Sequence, residues 1–149
     1  MQWTTLAATA VGTVLGVLAT VLTDHVRWRR DRSERERETL RTAFAEFLTC
    51  LSGARDAFAR SPASLERVGK GHMAIGEHGV YAAQQRLELV ADQNLMAKTG
   101  RATLTLLDFH DAVVSGNSFD SQAYVLSWRA ARQARGELID EMKKALRRT

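Results

Sequence analysis

The spacing of apolar positions changes once along the chain. Residues 3–23 are uncharged throughout, whereas from Leu40 onward apolar residues return at every third or fourth position. An uncharged run of 21 residues rises roughly 30 Å as a helix, the thickness of a bilayer's hydrocarbon core, and predicts one transmembrane helix. Trp3 and Trp28 bracket it, where indole rings settle at a membrane–water interface. Arg27, Arg29 and Arg30 follow the run and no Lys or Arg precedes it. The excess of positive charge on that side predicts a single-pass protein of the cell membrane, with its N-terminus outside and residues 27–149 in the cytoplasm. A cleaved secretory signal would begin with basic residues and carry a shorter apolar core, and this chain begins Met1-Gln2-Trp3.

Within the run, Ala8, Gly12, Gly16 and Thr20 recur every four residues. They lie on one face of a helix, where small side chains let two backbones approach closely. That stripe predicts self-association, or packing against another membrane protein.

The segment 27–39 is charged, with opposite signs at helical spacing: Asp31 with Arg35, Arg32 with Glu36, Glu38 with Arg41. Each such pair supports a helix by about 0.2–0.5 kcal/mol, so the anchor (residues 1–26) is expected to continue as a solvated stalk. From there Leu40, Phe44, Phe47, Leu51, Ala54 and Phe58 alternate steps of four and three, the stripe of a helix that buries one face. Ser61-Pro62 ends it, because proline restricts the residue before it and has no N–H to donate.

Glycines at 69, 71, 76 and 79 each cost a helix about 1 kcal/mol relative to alanine. A short helix over 63–68 followed by a mobile connection is the expectation there. Val80, Ala83, Leu87 and Val90, with Tyr81 beside them, mark the next core helix. Asp92 can cap a fresh start, after which Leu95, Thr99, Ala102, Leu106, Phe109 and Val113 share a face that Leu104, Leu107 and Val114 widen. Ser115-Gly116-Asn117-Ser118 is a turn. Asp120 or Ser121 then caps a last helix whose stripe runs through Tyr124, Trp128, Ala131, Arg135, Leu138, Met142 and Ala145. Arg135 interrupts that stripe and either snorkels past the core edge or pairs with an acid such as Glu88.

These elements predict an all-α chain: one N-terminal transmembrane helix continuing into a cytoplasmic antiparallel helical bundle over residues 40–149. The bundle has four helices, or three if no break falls near Asp92. With four, the basic C-terminus would finish at the inner leaflet, beside the arginine cluster.

Composition narrows the chemistry. One proline and one cysteine exclude a disulfide framework or a Cys-based zinc site within one chain, and Cys50 reads as a small core hydrophobe. The net charge of +4 is concentrated next to the anchor, where anionic lipid headgroups are the expected partner. Acids interleave with those arginines and no recognition motif accompanies them, so nucleic-acid binding is not expected. His72 and His78 fall in the glycine segment without ligand spacing, and His110 sits between Asp108 and Asp111, which a helix places at other azimuths. No metal, cofactor or catalytic residue is assigned.

The juncture WRRDRSERERETLRTAFAEFL, together with YAAQQRLELVA, resembles small single-pass membrane proteins of actinobacteria. That resemblance implies the anchor-plus-helical-domain architecture and carries no activity. The function expected is therefore a non-enzymatic, self-associating scaffold or partner-binding protein at the cytoplasmic face. A membrane-perturbing or pore-forming small effector is the alternative.

Overall fold

Helix α1 (Gln2–Ala59) ends one residue before the Arg60-Ser61-Pro62 turn, where the restricted residue before proline stops helical propagation. The computed structural model describes the backbone of residues 2–148 and the side chains of residues 24–148 apart from those of Val26 and Arg29. After α1 come a 3₁₀ turn (Leu65–Arg67), α2 (Gly71–Glu77), α3 (Val80–Glu88), α4 (Gln93–Val114) and α5 (Gln122–Arg148). Among the described residues every regular element is a helix. Also among them, no helix is long and apolar enough to cross a membrane. The uncharged run 3–23, on which the transmembrane expectation rests, lies outside the residues whose side chains are described.

The chain divides into two units, Met1–Arg37 and Glu38–Thr149. In the first, Trp28 is exposed, stacks on His25 with ring centroids 6.4 Å apart, and carries the Arg32 guanidinium 5.7 Å above its ring. Arg32 Nε also donates to Glu36 Oε1 at 3.1 Å. Such exposed pairs support the helix locally by a few tenths of a kcal/mol.

In the second unit all six stripe residues of α1, Leu40, Phe44, Phe47, Leu51, Ala54 and Phe58, are buried. So are Leu95, Thr99, Ala102, Leu106, Phe109 and Val113 on α4. The course of each helix follows from its partners. Glu46 on α1 meets Arg86 on α3, and Phe58 meets His78 just before α3, so α3 runs against α1. Phe58 also meets His110, while Leu51 shares a cleft with Ala102, so α4 runs with α1. On α5, Trp128 and Tyr124 pack on Phe109, Glu137 meets Lys98, and Arg148 reaches Asp92 at 3.6 Å. Helices α4 and α5 are therefore antiparallel. The result is an up-down-up-down arrangement of four members, the second split into α2 and α3, as short connections favour.

The break at Asp92 is present: its carboxylate accepts the Leu95 N–H at 2.8 Å and caps α4, an interaction typically worth about 1 kcal/mol. Ser121, not Asp120, caps α5, accepting the Tyr124 N–H at 3.2 Å. Gly116, at φ +81°, lets the chain leave α4 in the left-handed conformation that side chains with a Cβ resist.

Four expectations change. The glycine segment is not a loop: α2 forms through it, because buried Ile75 and Gly71 contribute tertiary packing that outweighs the backbone cost. The helix expected over 63–68 is only a 3₁₀ turn with no buried residue. Leu104 (62% exposed) and Val90 (37%) stay at the surface. Leu104 points off the α4 core face, and Val90 falls after α3 has ended at Glu88. Cys50 is half-buried at the edge of the core.

Candidate functional site

Helices α1, α4 and α5 do not close completely on one another. Where Ala102 on α4 and Ala131 on α5 come together, two methyl groups occupy positions that larger side chains would fill, and a cleft of about 370 Å³ remains. Its apolar lining comes from Leu51, Ala102, Leu106, Trp128 and Ala131, with Ser52 alongside. Its charge comes from Arg55, Arg132 and Arg135. Trp128, Ala131, Arg132 and Arg135 stand at helical positions i, i+3, i+4 and i+7, so a single face of α5 supplies both the ring and two guanidinium groups.

The three arginines differ in their surroundings. Arg55 donates from Nε and Nη2 to Asp56 Oδ1, at 2.8 and 2.6 Å. Its guanidinium also lies 5.7 Å from the Trp128 ring centroid, an electrostatic attraction to the ring's negative face. Among the described residues Arg132 and Arg135 form no ion pair. The Nε–H of Arg135 is buried with no hydrogen-bond partner. Glu88, proposed as its acid from sequence, is exposed. No carboxylate lines the cleft, and Asp56 beside it is already engaged by Arg55.

The α4–α5 seam carries its own charges. Glu137 accepts from Lys98 at 2.9 Å, from Gln133 at 3.0 Å and from Arg101 at 3.1 Å. The Lys98 hydrogen bond, then those other partners, hold its carboxyl below the usual carboxylate range. A carboxyl depressed in the folded state stabilises the fold above its unfolded value, and that contribution disappears as pH falls through the folded one. Lowering the pH from about 5 towards about 3 should therefore reduce the urea midpoint, with Glu137→Gln flattening that dependence. Equal slopes in wild type and variant would remove Glu137 from the account. Glu141, which the sequence did not single out, is buried, and the Lys144 hydrogen bond lowers its carboxyl.

The histidines are not brought together into a ligand set. His72 is exposed, with Nδ1 3.2 Å from the Gly69 carbonyl oxygen, and His78 is exposed at the end of α2. His110 is buried, its ring 4.7 Å from that of Phe58. Contrary to the azimuth argument, Asp111 does reach it: Oδ1 lies 3.0 Å from His110 Nδ1 and also accepts the Gly69 N–H at 3.0 Å. Adjacent side chains can meet when one bends back along the helix surface, and the Gly69 amide holds Asp111 there. A smaller cleft of about 240 Å³ adjoins His110, with Arg67, Lys70 and Glu77 among its walls. Among the described residues no group of three His, Cys, Asp or Glu is placed to hold a metal ion.

Of the residues tied to the membrane by sequence, Ala8, Gly12, Gly16, Thr20, Trp3 and Arg29 fall outside the described side chains, while Arg27, Trp28 and Arg30 are exposed. The cleft was missed except for Arg135, which interrupts the apolar stripe of α5. Arg55 and Arg132 sit on exposed-looking registers that give no signal until α1 and α5 are side by side.

No protein-family model, curated protein or solved structure matches this chain.

Proposed function

We propose that this chain is a membrane-anchored, self-associating helical protein whose unit Glu38–Thr149 serves as a non-enzymatic scaffold or binding module at the cytoplasmic face. The observation that carries the reading is the uncharged run 3–23 with Arg27, Arg29 and Arg30 directly after it. Charge on one side only supplies both an anchor and an orientation. The helical unit supports the second half of the reading: its core draws on all five helices, α1 to α5, and leaves an open cleft on one side. The stripe Ala8, Gly12, Gly16 and Thr20 is the association surface within the bilayer, and Arg27, Arg29 and Arg30, with Trp3 and Trp28, set the depth against anionic headgroups.

Fractionation tests this. The full-length protein should stay with membranes through an alkaline carbonate wash. Val14→Arg combined with Leu18→Arg should release it, since each arginine near the centre of a span costs about 2.5–3.5 kcal/mol. In mild detergent the wild type should run as an oligomer that Gly12→Ile with Gly16→Ile disperses. Release of the wild type by carbonate would end the anchor reading, and an unchanged mass in the glycine variant would end the role of the stripe.

A further inference from the structure

We infer that the cleft between α1, α4 and α5 is a binding site for a small oxyanion carried on an apolar body, a carboxylate or phosphate monoester of an alkyl or aryl chain. This inference is independent of the anchor. Its volume of about 370 Å³ lies in the range of small-molecule pockets, and its walls are divided by chemistry. Leu51, Leu106 and the Trp128 ring offer apolar contact, while Arg55, Arg132 and Arg135 supply guanidinium groups. Guanidinium forks match carboxylate and phosphate oxygens in geometry as well as charge.

The balance of charge selects an anion over a cation or a neutral ligand. Among the described residues only Asp56 offsets the three arginines, through Arg55, so Arg132 and Arg135 keep their charge uncompensated. The apolar floor selects against a bare ion, because an inorganic oxyanion would leave the Trp128 side of the cleft without contact. Packing defects alone give clefts lined by apolar atoms; three arginines from two helices in its lining give this one a ligand chemistry.

The test uses the full-length chain, in phosphatidylcholine nanodiscs if it stays with membranes and otherwise in buffer, with protein-free discs or buffer as the partitioning blank. Calorimetric titration with octanoate or with octyl phosphate should show saturable binding at one site per chain for at least one of them, identifying the preferred oxyanion. Octylamine should show none above the blank, and inorganic phosphate should bind at least tenfold more weakly. Arg135→Gln should weaken binding about tenfold, and Ala131→Leu, which fills the cleft, should abolish it, circular dichroism verifying that each variant is folded. Arg135→Gln changes a residue at the cleft edge, so it keeps the test decisive should Ala131→Leu misfold. Failure of both amphiphilic anions, equal binding of octylamine or of inorganic phosphate, or wild-type affinity in a folded Arg135→Gln protein would each overturn the assignment.

Discussion

Phe109→Ala should lower the unfolding free energy by about 3–5 kcal/mol, the range for removing a large aromatic side chain from a packed core. Phe109 is fully buried on α4, and its ring meets those of Tyr124 and Trp128, each with centroids 5.4 Å away. Tyr124 in turn packs edge-on against Phe119 at 5.2 Å. Truncation would leave a cavity at the seam between α4 and α5 and remove two aromatic contacts worth about 0.5–1.5 kcal/mol each beyond their area. Since small domains are stable by only about 5–15 kcal/mol, the loss is a large share of the total. Urea unfolding followed by far-ultraviolet circular dichroism should show a sharply lower midpoint at an unchanged slope. Leu104→Ala, on the same helix but 62% exposed, should stay within about 0.5 kcal/mol of wild type. Comparable losses at both positions would mean that α4 does not present the face described here.

The contrast between Phe109 and Leu104 shows what the sequence makes legible. Strict three-four spacing located every buried position of α1 from Leu40 to Phe58, and six of the eight buried positions of α4 from Leu95 to Val113, missing Thr103 and His110, because a helix that buries one stripe repeats its geometry at each turn. Asp92 was legible for a similar reason: an acid before a periodic run satisfies amide groups that the helix cannot. Leu104 was misjudged because hydrophobicity alone does not fix azimuth, and lone exposed apolar residues are ordinary. Helix α2 was hidden since its glycines argue against a helix locally, and the packing that overrides them comes from α4, far away in sequence. The candidate site was legible only at Arg135. Its other parts become neighbours through the pairing of α1 with α5, a relation that no local pattern encodes.

Two glycines of α2 should respond to the same substitution with opposite signs. A Cβ built on Gly71 would lie 2.9 Å from His110 Nδ1 and 2.9 Å from Leu107 Cδ2, closer than side-chain atoms pack. Leu107 is flexible and can turn aside. The His110 ring is fixed, by Asp111 at Nδ1 and by Phe58 across its face, so relieving the overlap means moving α2 away from α4. Gly71→Ala should therefore destabilise by about 1–3 kcal/mol, as overpacking of a well-filled core does. Gly76, one turn and a half later and exposed, would place its Cβ 3.8 Å from Tyr81 Cδ2, an ordinary contact, and its φ is not positive. There alanine removes backbone freedom from the unfolded chain without strain, and Gly76→Ala should stabilise by about 0.4–1 kcal/mol. Helix propensity alone would make both substitutions favourable, so the sign at Gly71 isolates the tertiary contact. A double-mutant cycle with His110→Ala completes the test. If the ring is what Gly71 accommodates, the alanine at 71 should cost far less once the ring is gone, giving a coupling energy of about 1 kcal/mol or more. Additive losses would place the strain elsewhere, and a stabilising Gly71→Ala would show that α2 does not rest against His110.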